Sequence, residues 1–98
     1  MSGSVDEIKA GTLVKALAGR DKGSYFVAVG ASGGFVDIAD GRRRKVEKHK
    51  RKNVKHISPV EGQIYSGELT NRKLRRLISE YLTHARLPKA DDLDGEVL

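Results

Sequence analysis

The sequence contains no cysteine, so it can form neither a disulfide, nor a thiolate metal site, nor a thiol nucleophile. Long apolar runs are also missing, because no stretch approaches the roughly 18 apolar residues that a membrane-spanning helix needs. The first ten residues are polar and mixed in charge, and they lack the apolar core of a secretory signal. We therefore expect a cytoplasmic protein that makes no contact with a membrane.

Positive charge is what the sequence has in excess. Lys and Arg number 19 against 13 Asp and Glu, which gives a formal charge of +6. A surplus of this size favours polyanionic partners such as nucleic acid, although charge alone does not separate RNA from DNA or from anionic lipid. With 98 residues and 38% hydrophobic content, the chain has room for one compact domain and an appended element.

The first half of the chain has the pattern of a small β domain. Apolar runs rich in β-formers are separated by turns that contain glycine, with no helical periodicity between them. These runs are residues 12–18, 24–31 and 35–39. Gly33 and Gly34 predict a hairpin, and Asp40-Gly41 predicts a second, two-residue hairpin of type I′ that leads into a strongly basic strand. The fold class predicted is mainly β, a small antiparallel barrel or sandwich.

The second half predicts a connector, a helix and a tail. Residues 59–69 contain proline and glycine, which argue against regular structure. Apolar residues then recur at helical spacing over residues 70–87, and Pro88 is expected to end that helix. We expect the helix to pack on the barrel, because so small a barrel buries little surface alone. A helix that binds a partner protein or an anionic membrane is the alternative.

The two ends of the chain have few apolar anchors. Residues 1–10 are small and charged, so they predict a flexible leader that becomes ordered near Ile8. Residues 88–98 are rich in acids and predict a disordered acidic tail. The folded part is therefore expected to begin at Gly11.

The first turn carries a resemblance to a known family. Residues 11–23 read Gly-Thr-Leu-Val-Lys-Ala-Leu-Ala-Gly-Arg-Asp-Lys-Gly, and an apolar strand follows at residues 25–29. A glycine before the first strand, a Gly-x-Asp-Lys-Gly turn and a hydrophobic second strand together resemble the KOW motif. That family includes ribosomal large-subunit proteins and the C-terminal domain of NusG-type transcription factors.

The order of the predicted elements resembles one group within this family. An early KOW barrel, a basic strand and a C-terminal helix look like the ribosomal protein L14e-type group, which includes short bacterial relatives described as RNA-binding. The resemblance implies an SH3-like β-barrel over residues 11–58, followed by an α-helix, and it implies RNA binding without catalysis. It covers about half of the chain. The preference for RNA over DNA also comes from the resemblance, because the spacing of charges in a sequence does not indicate whether a protein recognises a 2′-hydroxyl or a particular groove width.

Two basic segments supply the candidate RNA-binding residues. Gly19 and Gly23 bracket a turn that projects Arg20 and Lys22, so backbone N–H groups and two cations can meet one phosphate. Residues 42–55 hold like charges that repel one another unless a polyanion or counterions neutralise them. If this segment is a strand, its side chains alternate between two faces, with Arg42 and Arg44 on one face and Arg43 and Lys45 on the other. The candidates are Lys15, Arg20, Lys22, Arg42, Arg43, Arg44, Lys45, Lys48, His49, Lys50, Arg51, Lys52 and Lys55.

Aromatic side chains are few, at 5% of the residues. Tyr25, Phe26 and Phe35 lie in apolar strand runs, where core packing explains them better than base stacking does. Tyr65 lies in the connector and is the better candidate for stacking on a base, although a packed loop anchor is the simpler interpretation.

Nothing in the sequence predicts catalysis. The three histidines lack a nearby carboxylate pair or thiol at the spacing of a metal site or a nucleophilic triad. The glycine-rich residues 30–34 lack the Lys-Ser/Thr of a phosphate-binding loop and precede a strand rather than a helix. We therefore expect no enzyme, no metal and no cofactor.

The expected partner is RNA, with ribosomal RNA first and ribosomal proteins as additional contacts. A monomer is favoured, although the sequence leaves the oligomeric state open. The alternative function is a protein-interaction module that docks on transcription or ribosome components, in which the basic block only steers the encounter.

Overall fold

Five antiparallel strands and one C-terminal helix make up the fold in a computed structural model, which describes residues 8–90 and the side chains of residues 8–84. The strand order is β4-β3-β2-β1-β5. The prediction of a mainly β fold with a C-terminal helix is confirmed. The elements are β1 (Thr12–Ala16), β2 (Tyr25–Ser32), β3 (Phe35–Ala39), β4 (Lys50–Asn53), β5 (Ile57–Ile64) and α1 (Asn71–Ala90).

The sheet curls like a small barrel because its two edge strands are consecutive in the chain. β4 and β5 lie at opposite edges, yet a single 3₁₀ turn, Val54–His56, joins them. Across the gap, the Lys52 ammonium of β4 donates to the carbonyl oxygen of Ala18, just beyond β1, at 3.1 Å. Register shifts between β1 and β5 and between β2 and β3 add the local twist that a curled sheet needs.

Both faces of the sheet carry buried apolar residues, which follows from the alternation of side chains along each strand. The concave face holds the first core cluster, formed around Phe26, Val14 and Ile38. The convex face presents Leu13 and Val27 to the helix. Small strands covered on both sides read as almost continuous apolar runs, as the sequence does here.

α1 lies on the convex face through its apolar stripe. Leu74 is fully buried against Leu13, Val27 and Ala39 of the sheet. Residues at helical spacing from it, including Leu77 and the tyrosine at position 81, are partly buried in the same cluster. The helix therefore completes a second hydrophobic core.

The predicted connector at residues 59–69 is wrong over residues 59–64. These residues belong to β5, which pairs antiparallel with β1. Proline is tolerated there because β5 is an edge strand, in which only one side of the backbone must take part in the ladder. Only residues 65–70 remain as a connector to α1.

The predicted two-residue hairpin at Asp40-Gly41 and the long basic strand after it are also wrong. Residues 40–45 form an irregular loop, a 3₁₀ turn follows at Val46–Lys48, and β4 is only four residues long. The Asp40 carboxylate accepts the N–H groups of Arg42 and Arg44 at 2.8 and 2.9 Å, so it closes a side-chain-stabilised loop instead of a tight hairpin. The other predicted hairpin is present, with positive φ at Gly33 and Gly34 between β2 and β3.

Near Ile8, where the leader is expected to become ordered, the side chain of Ile8 is 6% exposed and belongs to the first core cluster, because an apolar side chain next to the sheet gains from burial. The end of the helix differs from expectation. α1 runs to Ala90 and so passes Pro88, since a proline in the last turn removes one backbone hydrogen bond and not the whole helix. Residues 1–7 of the predicted leader and 91–98 of the predicted acidic tail lie outside the described residues.

No helix in the described part of the chain is long and apolar enough to cross a membrane.

Candidate nucleic-acid interface

The turn at residues 19–23 projects two cations and buries one acid. Gly19 and Gly23 both have positive φ, at 81° and 88°, which allows the chain to reverse tightly. The N–H of Gly23 donates to Ala16 at 2.8 Å and fixes the turn to the end of β1. Arg20 and Lys22 are exposed, whereas Asp21 between them is only 3% exposed. The turn thus presents its positive charges to solvent and holds its negative charge inside.

Asp21 fastens the second basic segment to this turn. Its carboxylate accepts a hydrogen bond from the Arg44 guanidinium at 3.2 Å and lies 3.8 Å from that of Arg43. A buried carboxylate needs such partners to offset the loss of its hydration. The side chain of Arg43 remains 75% exposed and that of Arg44 31% exposed. Sequence reasoning missed Asp21, because nothing near it in the chain signals a partner 23 positions away.

The other flank of the turn is also basic. Lys52 donates to Ala18 at 3.1 Å, and the Leu17 N–H donates to His56 at 2.8 Å. The 3₁₀ turn that contains the exposed Lys55 is therefore held beside residues 17–18. The turn at residues 19–23 therefore lies between two stretches of the basic segment 42–55, residues 43–44 on one side and residues 52–55 on the other. We call this the basic surface, and it consists of Arg20, Lys22, Arg43, Arg44, Lys52 and Lys55.

The helix positions the loop that carries the arginines. At the start of α1, the Asn71 side-chain oxygen accepts the Val46 N–H at 2.8 Å, and its amide donates to the Glu47 carboxylate at 2.9 Å. That hydrogen bond lowers the pKa of Glu47 below its usual value. One turn further on, Arg75 donates to the Gly41 carbonyl at 2.9 Å. These contacts, together with the Asp40 carboxylate, fix the loop without using any of its exposed cations.

β4 divides its charges between two faces of the sheet. Lys50 and Lys52 lie opposite the buried Ile38 and Val36, so their stems run along the concave side and are half-buried. Arg51 lies opposite Asp37 and forms an ion pair with it at 3.0 Å.

The pair between Arg51 and Asp37 removes part of the predicted block from the basic surface. The hydrogen bond and charge of Arg51 lower the pKa of Asp37, and His49 adds to the effect from 3.8 Å. The same pairing raises the pKa of Arg51. Arg51 and His49 therefore serve the convex edge of the sheet rather than the turn.

The remaining candidates lie outside the basic surface as defined. Lys15 is on the convex face, with its ammonium 5.7 Å from the centre of the Tyr25 ring. Arg42, Lys45 and Lys48 are exposed along the loop and the 3₁₀ turn, and no ion pair within residues 8–84 includes them. Of these three, Arg42 lies beside the helix, in a cleft that residues of α1 also line.

The aromatic residues divide between core and surface. Phe26 is buried as expected, and Tyr25 packs on Tyr81 with ring centres 5.4 Å apart. The prediction of core packing is wrong for Phe35, which is 42% exposed because it lies on the outer side of the β2–β3 hairpin, with Arg51 5.8 Å above its ring. Tyr65 is half-buried, and the Lys73 ammonium lies 5.1 Å from its ring centre.

No protein-family model matches the sequence, and no curated protein matches it significantly. Within residues 8–84, no three His, Asp or Glu side chains come together in a group that could hold a metal ion.

Proposed function

We propose that this protein binds structured RNA through the basic surface, without catalysis, as a ribosome-associated protein. The observation that carries the proposal is that two stretches of the basic segment 42–55, residues 43–44 and residues 52–55, flank the turn of residues 19–23. Asp21 and Ala18 hold the two stretches there through Arg44 and Lys52. Six cations in one region create a field that attracts a phosphate backbone.

The local geometry of the turn supports phosphate contact. The turn holds two exposed cations, Arg20 and Lys22, on a tightly reversed backbone with two positive-φ glycines. The N–H groups of Lys22 and Gly23 already donate to backbone carbonyls, so the side chains make the phosphate contact. Contacts to phosphates position a protein on RNA without reading its sequence, so we expect low sequence specificity. The half-buried stems of Arg44 and Lys52 reduce the side-chain entropy that binding would otherwise cost.

The family resemblance supports RNA and the ribosome as partners. Five strands, a 3₁₀ turn between the last two, and a Gly-Arg-Asp-Lys-Gly turn after β1 are consistent with an SH3-like KOW barrel. Members of the KOW family, which the sequence resembles, commonly contact RNA through basic loops. We propose ribosomal RNA as the principal ligand and cytoplasmic ribosomes as its location.

The test removes charge from the turn. Arg20→Ser combined with Lys22→Ser should weaken binding of a structured RNA, and the slope of log affinity against log salt should become shallower by about two, one unit for each lost phosphate contact. For the unaltered protein, affinity should fall at least about a thousandfold between 50 and 200 mM salt if about six phosphates are neutralised. Fluorescence anisotropy at several salt concentrations measures both quantities.

A matched control carries the same change in charge. Lys9→Ser combined with Arg76→Ser removes two exposed cations, one before β1 at the end opposite the turn and one on the outer side of α1. This variant should keep nearly the affinity and slope of the unaltered protein. Equal losses in the two folded variants would mean that the turn has no special role and that only total charge matters.

A second candidate function is docking on a protein of the transcription or translation machinery. Ile64 is exposed at the end of the edge strand β5, and Phe35 and Leu17 are also exposed, as side chains at protein interfaces often are. An RNA affinity that barely changes with salt, or none at all, would favour this function over the first.

A further inference from the structure

A cleft between α1 and the sheet lies beside the loop of residues 40–45. Its volume is about 340 Å³, within the roughly 300–1,000 Å³ of pockets that hold small molecules. One wall is α1, and the other is formed by Tyr25 and the start of the loop. None of the interactions described above for the basic surface fills this space.

Two arginines stand at one end of the cleft. Arg75 is fixed there by its hydrogen bond to the Gly41 carbonyl at 2.9 Å, and Arg42 is the next residue along the loop. Within residues 8–84 neither guanidinium forms an ion pair with a carboxylate. Asp40 also lines this end, with one of its oxygens accepting two backbone N–H groups, and its negative charge leaves the two arginines with a net charge of +1. The end of the cleft is therefore suited to an anion such as a phosphate.

The rest of the cleft is apolar with a polar rim. Ile78 and Leu82 are half-buried and lie one helical turn apart, and Ser79 and Thr83 stand next to them. From Arg75 to Thr83 the helix rises about 12 Å, at 1.5 Å per residue. This combination suits a nucleotide, because the cations can pair with its phosphate, the apolar wall can cover one face of its base, and the hydroxyl groups can bond to the base edges.

We propose that this cleft binds one unstacked nucleotide of a single-stranded RNA segment. Its phosphate lies on Arg42 and Arg75, and its base lies against Ile78 and Leu82. The inference rests on the proposed RNA-binding function, and it adds a preference for a flipped-out or single-stranded base. Arg42 follows Gly41 in the loop whose next two residues belong to the basic surface, so one RNA chain can reach both places. A base paired within a duplex cannot enter the cleft.

The test fills the cleft and compares two RNA forms. Ser79→Trp places a large side chain in the cleft at an exposed helical position, and Ser66→Trp places the same side chain at an exposed position in the connector. The ligands are a single-stranded RNA oligomer and a blunt-ended RNA duplex of equal length. Ser79→Trp should weaken single-strand binding by about tenfold, as expected for the loss of one base contact. It should leave duplex binding unchanged, and Ser66→Trp should alter neither.

The outcomes separate the two proposals. Single-strand affinity that is unchanged in Ser79→Trp, or lowered equally in Ser66→Trp, would overturn the nucleotide cleft. So would an unaltered protein that binds duplex but not single-stranded RNA, although the proposed function would then stand. Failure of the unaltered protein to bind either RNA would remove both proposals.

A measurement on the unaltered protein covers the case in which Ser79→Trp does not fold. The single-stranded oligomer should shift the amide NMR signals of Ser79 and Thr83 as well as those of residues 19–23. Shifts confined to residues 19–23, 43–44 and 52–55 would place the RNA on the basic surface only and would overturn the cleft.

Discussion

Gly41 shows how one absent Cβ allows two elements to meet. Its φ is +80°, which L side chains rarely adopt, and a Cβ built on it would overlap the backbone carbonyl of Asn71. The loop and the start of α1 therefore touch backbone to backbone. Gly62 in β5 has nearly the same φ, +78°, but nothing lies within 4 Å of the position its Cβ would take. Glycine is therefore favoured at position 62 by its backbone conformation alone, and at position 41 by both its conformation and the lack of space for a Cβ.

Alanine at these two positions gives a residue-scale prediction. Gly62→Ala should lower the free energy of unfolding by about 1–2 kcal/mol, the cost of positive φ for an L residue. Gly41→Ala carries the same cost and a further 1–3 kcal/mol, roughly, for overpacking against α1. Urea unfolding followed by circular dichroism measures the difference. Equal losses in the two variants would show that the contact with Asn71 adjusts freely.

Asp21 is the residue on which the basic surface depends most. From the sequence alone, an acid in the middle of a basic turn is expected only to reduce the positive charge of that turn. In the structure it is buried and holds Arg43 and Arg44 beside Arg20 and Lys22. A negative charge that is hidden from solvent can therefore concentrate positive charge at the surface next to it.

At the scale of elements, α1 has two roles. Its apolar stripe, centred on Leu74, covers the convex face of the sheet. Its first turns position the basic loop, through Asn71 on Val46 and Glu47 and through Arg75 on Gly41. Docking of the helix and the shape of the candidate RNA surface are therefore coupled.

Leu74→Ala tests the docking of the helix. The side chain is fully buried, so its truncation should cost about 2–5 kcal/mol of unfolding free energy. Leu17→Ala is the matched control, because Leu17 is 44% exposed, and it should cost less than about 1 kcal/mol. Thermal or urea unfolding measures both. A small loss for Leu74→Ala would show that the sheet is stable without the helix.

At the scale of the whole molecule, the charge is unevenly placed. The net charge of +6 includes acids that are already paired in the fold, such as Asp37 with Arg51 and Asp21 with Arg44. Exposed cations remain around the turn, the loop and the start of α1. Electrostatic attraction to a large polyanion should therefore orient the molecule as well as attract it.

Sedimentation of cell lysate tests ribosome association of the intact protein. At about 50 mM monovalent salt it should migrate with ribosomal particles, and at about 500 mM it should be released, since attraction to phosphates is screened. Migration with the large subunit at both concentrations would indicate an integral subunit. A protein that stays at the top of the gradient at both concentrations would contradict ribosome association, while binding to other RNA would remain testable by anisotropy.

Much of the fold could be predicted because its signals are local. Glycine turns at residues 19–23 and 33–34, the β-formers between them and the apolar period around Leu74 each lie within a few residues of one another. The first error, at residues 59–64, arose because proline and glycine usually interrupt strands, whereas an edge strand tolerates them. The second, at Asp40-Gly41, arose because a local turn signal was outweighed by a contact to α1 from 34 residues further along the chain.

The sequence by itself determined the sign of the charge, the mainly β class, the C-terminal helix and the turn that carries Arg20 and Lys22. Composition and short-range pattern suffice for these, because each depends on neighbours in the chain. Only the tertiary structure decided which cations stand together. Arg44 and Lys52 reach the turn through partners that are distant in sequence. Arg51 lies on the other face of the sheet from Lys52 and forms an ion pair with Asp37 there. Such choices depend on how the sheet curls and where the helix docks, and no local pattern encodes them.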